Sequence, residues 1–187
     1  MGRAVPFRLP KGADGVIRVV SEEVLSELLA HEGDDFSGVS IHFEVRSSTM
    51  TSLEARIAMR SFLTRAFQAV VAARLLPAPL DPLPKMGIRV EAAVLGGKPG
   101  PSCKYGVGCV EGYAWDPIFQ VWRVNVVFDE PAGKWCGMPI LGASTFPSLV
   151  RVIGSGTRSF SSMTPSEIET VAHRARSLDA SRGRRPC

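Results

Sequence analysis

The amino-acid sequence predicts an α+β fold: a mainly antiparallel sheet with a β-meander at about residues 88–128, and two or three helices packed on one face. Apolar residues recur at helical spacing in two segments of the first half, and the period changes to two near residue 88. Another helical segment follows near the C-terminus. Strands that follow helices as a group are typical of α+β domains. The 187 residues, 45% hydrophobic and 21% charged, suffice for a full core and exclude a mostly disordered protein.

The chain begins with a segment that lacks periodicity and continues into a strand and a helix. Residues 1–15 contain prolines and glycines, and we expect an N-terminal arm there. Residues 16–20 are rich in β-branched side chains, which favours a strand. Ser21 precedes two glutamates, a pattern that starts a helix because the hydroxyl caps free N–H groups and the helix dipole favours acids. Gly33 is the expected end of this helix.

A half-buried strand and the longest helix come next. Residues 39–45 alternate apolar and polar side chains. The polar side of this strand carries Ser40, His42, Glu44 and Arg46. The capping box at residues 51–54 predicts a helix that runs to about residue 76. Four prolines within residues 77–84 exclude both a helix and a central strand, so we expect a stiff crossing segment there.

The second half of the chain is predicted to be strands followed by one helix. The expected meander strands are residues 88–95, 107–115 and 120–128. Residues 131–148 contain three prolines and are expected to be irregular, and residues 150–153 are a candidate strand. A capping box from Thr164 to Glu167 starts a helix that is predicted to end near residue 178. We therefore expect one domain at residues 16–178, followed by a basic C-terminal tail at residues 179–187.

Basic residues exceed acidic ones by four, and 17 of the 22 basic residues are arginine. The planar guanidinium group suits phosphate, although a high-GC genome also favours arginine codons. The candidate nucleic-acid contacts are Arg56, Arg60, Arg123, Arg174, Arg176, Arg182, Arg184 and Arg185. We expect a non-enzymatic, nucleic-acid-associated protein without a cofactor, and a homo-oligomer that serves as a subunit of a self-assembling particle. The alternative to phosphate contact by the long helix is that its arginines only form the solvent-exposed side of a core helix.

Aromatic side chains concentrate in the predicted meander. They are Tyr105, Tyr113, Trp115, Phe119, Trp122, Phe128 and Trp135. On an exposed sheet face they would stack with single-stranded bases or bind a partner chain, which makes a protein–protein interaction module one alternative function. The other interpretation, which the alternation from Trp122 to Phe128 favours, is that these side chains belong to the core.

A small enzyme that acts on an anionic substrate is the rival function, with Cys136, Glu111 or His42 in its site. In the expected strand register, Glu111 lies opposite Val124 on the apolar side, where burial would raise the pKa of the carboxyl group. A register shift of one residue would instead pair Glu111 with Arg123, and this arrangement is the simpler one. The spacing of the four cysteines does not match a zinc site, so we expect no metal.

The sequence also indicates a compartment. It contains no apolar run of the roughly 20 residues that a membrane helix requires, and its N-terminus has no apolar core of an export signal. We therefore expect a cytoplasmic protein with free thiols that does not associate with a membrane.

Overall fold

The computed structural model describes residue 12, residues 14–45, residue 50, residues 52–94 and residues 104–183. It confirms the α+β fold, with three helices and a mixed, mostly antiparallel sheet of seven strands that does not close. The helices are α1 (Glu22–Leu29), α2 (Leu53–Ala72) and α3 (Pro165–Gly183). The strands are β1 (Ile17–Arg18), β2 (Ile41–Glu44), β3 (Arg89–Val94), β4 (Lys104–Asp116), β5 (Val121–Phe128), β6 (Lys134–Trp135), β7 (Met138–Pro139), β8 (Gly142–Thr145) and β9 (Val150–Val152).

Strand β4 is the centre of the sheet. One of its edges pairs with β3 along its first half and with β2 along its second half, and its other edge pairs with β5. All three pairings are antiparallel, which confirms the meander of β3, β4 and β5. Strands β9 and β8 extend the sheet beyond β3 and β5, and β1 runs parallel to β2.

Strand β4 packs tightly against its neighbours because it contains three glycines, of which Gly108 and Gly112 lie closest to the neighbouring backbones. A Cβ atom on Gly108 would lie 2.0 Å from the backbone oxygen of Val127, and one on Gly112 would lie 2.2 Å from that of Phe43. Between these glycines the pairing with β5 shifts by one residue, so Glu111 is the extra residue of a β-bulge.

Helix α2 is shorter at both ends than the sequence predicts. The N-cap is Ser52, whose hydroxyl accepts the Ala55 N–H at 3.3 Å, whereas Thr51 of the predicted box lies outside the described residues. The helix ends at Ala72 because Arg74 adopts the left-handed φ of 58°. The N–H of Leu75 then donates to the Val70 carbonyl, as in a Schellman ending. The predicted end at residue 76 was wrong because arginine occupies the position where glycine is the usual signal.

Helix α3 has the predicted start and a later end. The N–H of Thr164 donates to Glu167 Oε2 at 2.7 Å, and the Glu167 N–H donates back to the threonine hydroxyl at 3.3 Å, which confirms the capping box. The helix continues to Gly183, five residues beyond the predicted end, so residues 179–183 are helical. Residues 184–187 of the predicted tail lie outside the described residues, as do residues 1–11 and 13 of the predicted arm.

Residues 131–148 are more regular than their prolines suggest, because they form strand β8 and the small hairpin of β6 and β7. Proline is tolerated here because Pro139 belongs to a two-residue strand outside the main sheet. The hairpin turn places Cys136 at φ 48° and Gly137 at φ 82°, the positive values of a type I′ turn.

The two faces of the sheet carry separate apolar clusters. The larger cluster lies under α1 and α2 and includes Phe43, Leu63, Val70, Trp115 and Trp122. The smaller cluster packs beneath α3 and includes Ala93, Phe146, Phe160, Ile168 and Ala172. Ala92 belongs to the first cluster and its neighbour Ala93 to the second, because successive side chains of a strand point to opposite faces. Two helices therefore pack on one face, and α3 packs on the other.

None of the helices among the described residues combines the length and the apolar character that crossing a membrane requires.

Candidate functional site

Two of the arginines predicted to contact phosphates form ion pairs with a buried carboxylate. Arg56 and Arg60 lie one turn apart on α2, and both donate to the carboxylate of Glu111 on β4. Arg56 Nη2 lies 2.6 Å from Oε1, while Arg60 Nη2 and Nε lie 2.5 and 3.0 Å from Oε1 and Oε2. The hydrogen bond with Glu111 is the main cause of the raised pKa of Arg60. This cluster joins α2 to the sheet rather than forming an open basic ridge.

The β-bulge explains why both predicted cross-strand pairings of Glu111, with Val124 and with Arg123, were wrong. In β4, Tyr113 pairs with Val124 and Ala114 pairs with Arg123, so neither residue of β5 lies opposite Glu111. The extra residue turns the carboxylate towards α2, where only 2% of the side chain is exposed. Its position on the apolar side was expected, but two guanidinium groups neutralise it there.

Arg123 is also neutralised within the protein. Its Nε donates to Asp116 Oδ2 at 2.7 Å, and its guanidinium group lies 4.6 Å from the ring centre of Phe146. Only 19% of the side chain is exposed. The ion pair and the ring therefore account for Arg123 without a bound phosphate.

The remaining predicted contacts belong to the C-terminal end. Arg174 is exposed on α3, and no acidic partner is found for it among the described residues. For Arg176 and Arg182 the structure describes only the helical backbone, and Arg184 and Arg185 lie outside the described residues. Helices α2 and α3 pack on opposite faces of the sheet. Arg56 and Arg60 are therefore not joined with the α3 arginines into one surface.

The formal charge is distributed very unevenly along the chain. Residues 173–187, which we call the basic C-terminal segment, contain five arginines and one aspartate, a net charge of +4. The other 172 residues contain 17 basic and 17 acidic side chains and are neutral in sum. The whole excess charge of the protein thus lies in its last 15 residues.

The aromatic side chains of the meander are mostly core residues, as the alternation in β5 indicates. Phe67 of α2 packs against Tyr113 and Trp122, with ring centres 5.0 and 4.9 Å apart, and Trp115 lies 5.5 Å from Trp122. The rings of Tyr113, Trp115 and Trp122 are buried, so these three cannot stack with bases or form a partner surface. Phe119, in the turn after β4, is the one large exposed aromatic group among the side chains that the structure describes.

The polar side of β2 is a second candidate site. Ser40 Oγ lies 3.2 Å from His42 Nε2, and His42 Nδ1 lies 3.5 Å from Glu44 Oε1. Asn125 on β5 donates to Glu44 Oε2 at 2.7 Å. The sequence placed these residues on one polar face, but only His42 was named as a candidate catalytic residue. The alternation of the strand places all three on one face, which is the signal that could have identified them.

Cysteine and metal chemistry receives no support from the described residues. Cys136 is an exposed free thiol in the β6–β7 turn, whereas the contacts of His42 are Ser40 and Glu44. Cys109 is free and half-buried, and Cys103 and Cys187 lie outside the described residues. No group of three or more potential metal ligands occurs in the part of the chain that the structure describes.

Comparison of the chain with protein families, with curated proteins and with solved structures found no match.

Proposed function

We propose that this protein associates with nucleic acid through its basic C-terminal segment, residues 173–187. The observation that carries the proposal is the location of the entire net charge of +4 in these residues, next to a domain whose charges balance. A polyanion is attracted to such a segment because each arginine that meets a phosphate releases a condensed counterion. Blocks of like charge at a chain end are typical of arms that bind nucleic acid.

We restrict the proposed contacts by excluding the arginines that form an ion pair within the domain. Arg56, Arg60 and Arg123 already donate to carboxylates, so the proposal no longer includes them. Arg174, Arg176, Arg182, Arg184 and Arg185 remain. Helix α3 is anchored through Ile168 and Ala172, which lie in the smaller apolar cluster, and its second half continues from there. This arrangement would present a short basic helix whose docked first half holds it to the domain.

Nucleic acid fits this segment better than a lipid surface does. A helix that lies in a membrane interface requires a large apolar face. Leu178 is the only large aliphatic side chain in residues 173–187. All five basic residues of the segment are arginine, whose fork of N–H donors binds phosphate oxygens in pairs.

Binding of a fluorescein-labelled 20-nucleotide single-stranded RNA, followed by anisotropy at increasing salt, tests the proposal. Five phosphate contacts predict a slope of log K against log[salt] of roughly −3.5, at about 0.7 per contact. Changing the five arginines of the segment to glutamine should abolish binding. Binding that does not occur at low salt, or that survives this change, would reject the proposal.

A matched control separates the segment from total charge. Arg65, Arg74, Lys85, Lys104 and Lys134 are exposed basic residues of the balanced part, and changing all five to glutamine removes the same charge. This variant should keep most of the affinity and the same salt slope. Equal losses in both variants would show that affinity follows net charge alone.

Self-assembly and the cytoplasmic location stay predictions. Light scattering with and without the RNA tests the former, since a subunit of a particle should exceed the monomer mass of 20.1 kDa. A mass of one chain under both conditions would contradict self-assembly and leave the RNA-binding proposal to its own experiment.

A further inference from the structure

We propose that Ser40 is an activated nucleophile, with His42 as its general base and Glu44 as the residue that orients the base, in a site that takes activated carboxylic esters. This activity is separate from the proposed RNA binding. Ser40 directly precedes β2, and His42 and Glu44 follow it at every second position, so the three side chains lie on one face. Ser40 Oγ is 3.2 Å from His42 Nε2, and His42 Nδ1 is 3.5 Å from Glu44 Oε1.

The protonation states follow from the environment of Glu44. The pKa of this carboxyl group is below its usual value, first because of the neighbouring His42 side chain, and the Arg18 and Asn125 side chains contribute as well. His42 Nδ1 is buried without a hydrogen-bond partner and faces this carboxylate, which only accepts hydrogen bonds, so we assign the proton of the neutral imidazole to Nδ1. Nε2 therefore presents a lone pair towards the hydroxyl group of Ser40, as a general base requires.

The surroundings hold this arrangement and leave it accessible. Strand β2 is bonded to β1 on one side and to β4 on the other, so its backbone is fixed. About a quarter of the His42 and Glu44 side chains is exposed, at 23% and 25%. At 3.5 Å, Nδ1 and Glu44 Oε1 do not form a hydrogen bond in this structure, and catalytic contacts commonly tighten only when a substrate binds. The carbonyl of Trp115, at 3.4 Å, is the other acceptor within reach of the Ser40 hydroxyl group.

The reaction balances with water as the only co-reactant. Ser40 Oγ forms a bond with the ester carbonyl carbon while its proton moves to His42 Nε2. The carbon–oxygen bond of the leaving alcohol then breaks, and the alcohol takes the proton from Nε2. Water attacks the resulting acyl-serine, gives one proton to Nε2, and releases the carboxylic acid as that proton returns to Ser40 Oγ.

The primary experiment treats the wild-type protein with diisopropyl fluorophosphate and measures the intact mass. A nucleophilic serine displaces fluoride, so the mass should increase by one diisopropylphosphoryl group, located on Ser40 by peptide mapping. Ser40→Ala should abolish this labelling, and Ser26→Ala, at an exposed serine of α1, should leave it unchanged. An unmodified wild-type protein, or a label on a different serine, would overturn the proposal.

The roles of the other two residues need readouts that a structural role would not affect. His42→Ala should lose labelling, and added imidazole should restore it because the small molecule supplies the missing base. Glu44→Gln should slow labelling, and Glu44→Asp should recover part of the rate because its carboxylate still orients His42. The wild-type protein should also hydrolyse p-nitrophenyl acetate with turnover that requires Ser40. Labelling of His42→Ala at the wild-type rate would contradict the assigned base.

Discussion

Replacing Glu111 by glutamine should destabilise the protein strongly, because this change removes one charge from a buried cluster and keeps its shape. Loss of one partner from a buried ion pair costs about 3–5 kcal/mol, since the remaining charge has no counter-charge. Arg56 and Arg60 retain 30% and 17% of their side-chain exposure, so water relieves part of this cost. We therefore expect the lower end, a loss of about 3 kcal/mol in the free energy of unfolding.

Urea denaturation and thermal melting at pH 7, followed by circular dichroism, measure this loss. At about 2–4 °C per kcal/mol for a chain of this length, the melting temperature should fall by roughly 6–12 °C. The control is Asp129→Asn, which breaks an exposed ion pair with Arg89 and should cost about 1 kcal/mol or less. A Glu111→Gln variant as stable as the wild type, or one that loses no more than Asp129→Asn, would refute the reasoning.

A triple variant tests the same argument from the opposite direction. Replacing Glu111 by leucine together with methionine at positions 56 and 60 removes every charge of the cluster and keeps similar volumes. Complete apolar replacement of a buried ion cluster is often close to neutral, because no charge remains to be desolvated. The triple variant should therefore be more stable than Glu111→Gln. The opposite order would mean that the cluster stabilises the fold beyond the cost of an unpaired charge.

Three further predictions concern the sheet, a turn and acid stability. Gly108→Ala should lower the free energy of unfolding by about 3 kcal/mol, because its Cβ would lie 2.0 Å from a backbone oxygen. Gly38→Ala, where the space is open, should leave the free energy of unfolding unchanged. Equal stabilities of the two variants in urea would contradict this prediction. Cys136→Asn should stabilise the protein by roughly 1 kcal/mol, since asparagine tolerates the left-handed backbone of this turn better than cysteine does. A melting temperature below that of the wild type under reducing conditions would contradict this prediction. The pKa of Glu44 is lowered in the folded protein, first by His42, so ionised Glu44 contributes to the free energy of unfolding. This contribution is complete above the usual pKa of 4.5 and is lost as the pH falls through the folded-state pKa. Acidification should therefore reduce the free energy of unfolding less in Glu44→Gln than in the wild type. If the free energies of both proteins fell equally with pH, the prediction would be contradicted.

Features that depend on a few neighbouring residues were predictable from the sequence. The reciprocal bonds of Thr164 and Glu167 involve positions three apart, so the pattern of residue types is sufficient to identify them. The alternation of β5 likewise identified Trp122 as a core residue. The end of α2 was not predictable, because an arginine takes the left-handed position at Arg74 and no usual stop signal marks it.

The candidate sites also combine features that the sequence predicts with features that it does not. The shared face of Ser40, His42 and Glu44 follows from their spacing along one strand. The distances that make them a chemical set follow only from the side-chain conformations in the folded sheet. The bulge at Glu111 could not be predicted, because one extra residue in β4 changes the face of every side chain that follows it.

The sequence by itself determined the α+β class, the main helices and strands, and the concentration of the whole net charge in residues 173–187. These properties depend on composition and on the local period of apolar residues. Only the tertiary structure decided which arginines are already neutralised. Glu111 is 51 residues from Arg60 along the chain, yet their atoms lie 2.5 Å apart. The energy of two charges depends on their separation in space and on the surrounding solvent, and neither quantity can be obtained from the order of residues.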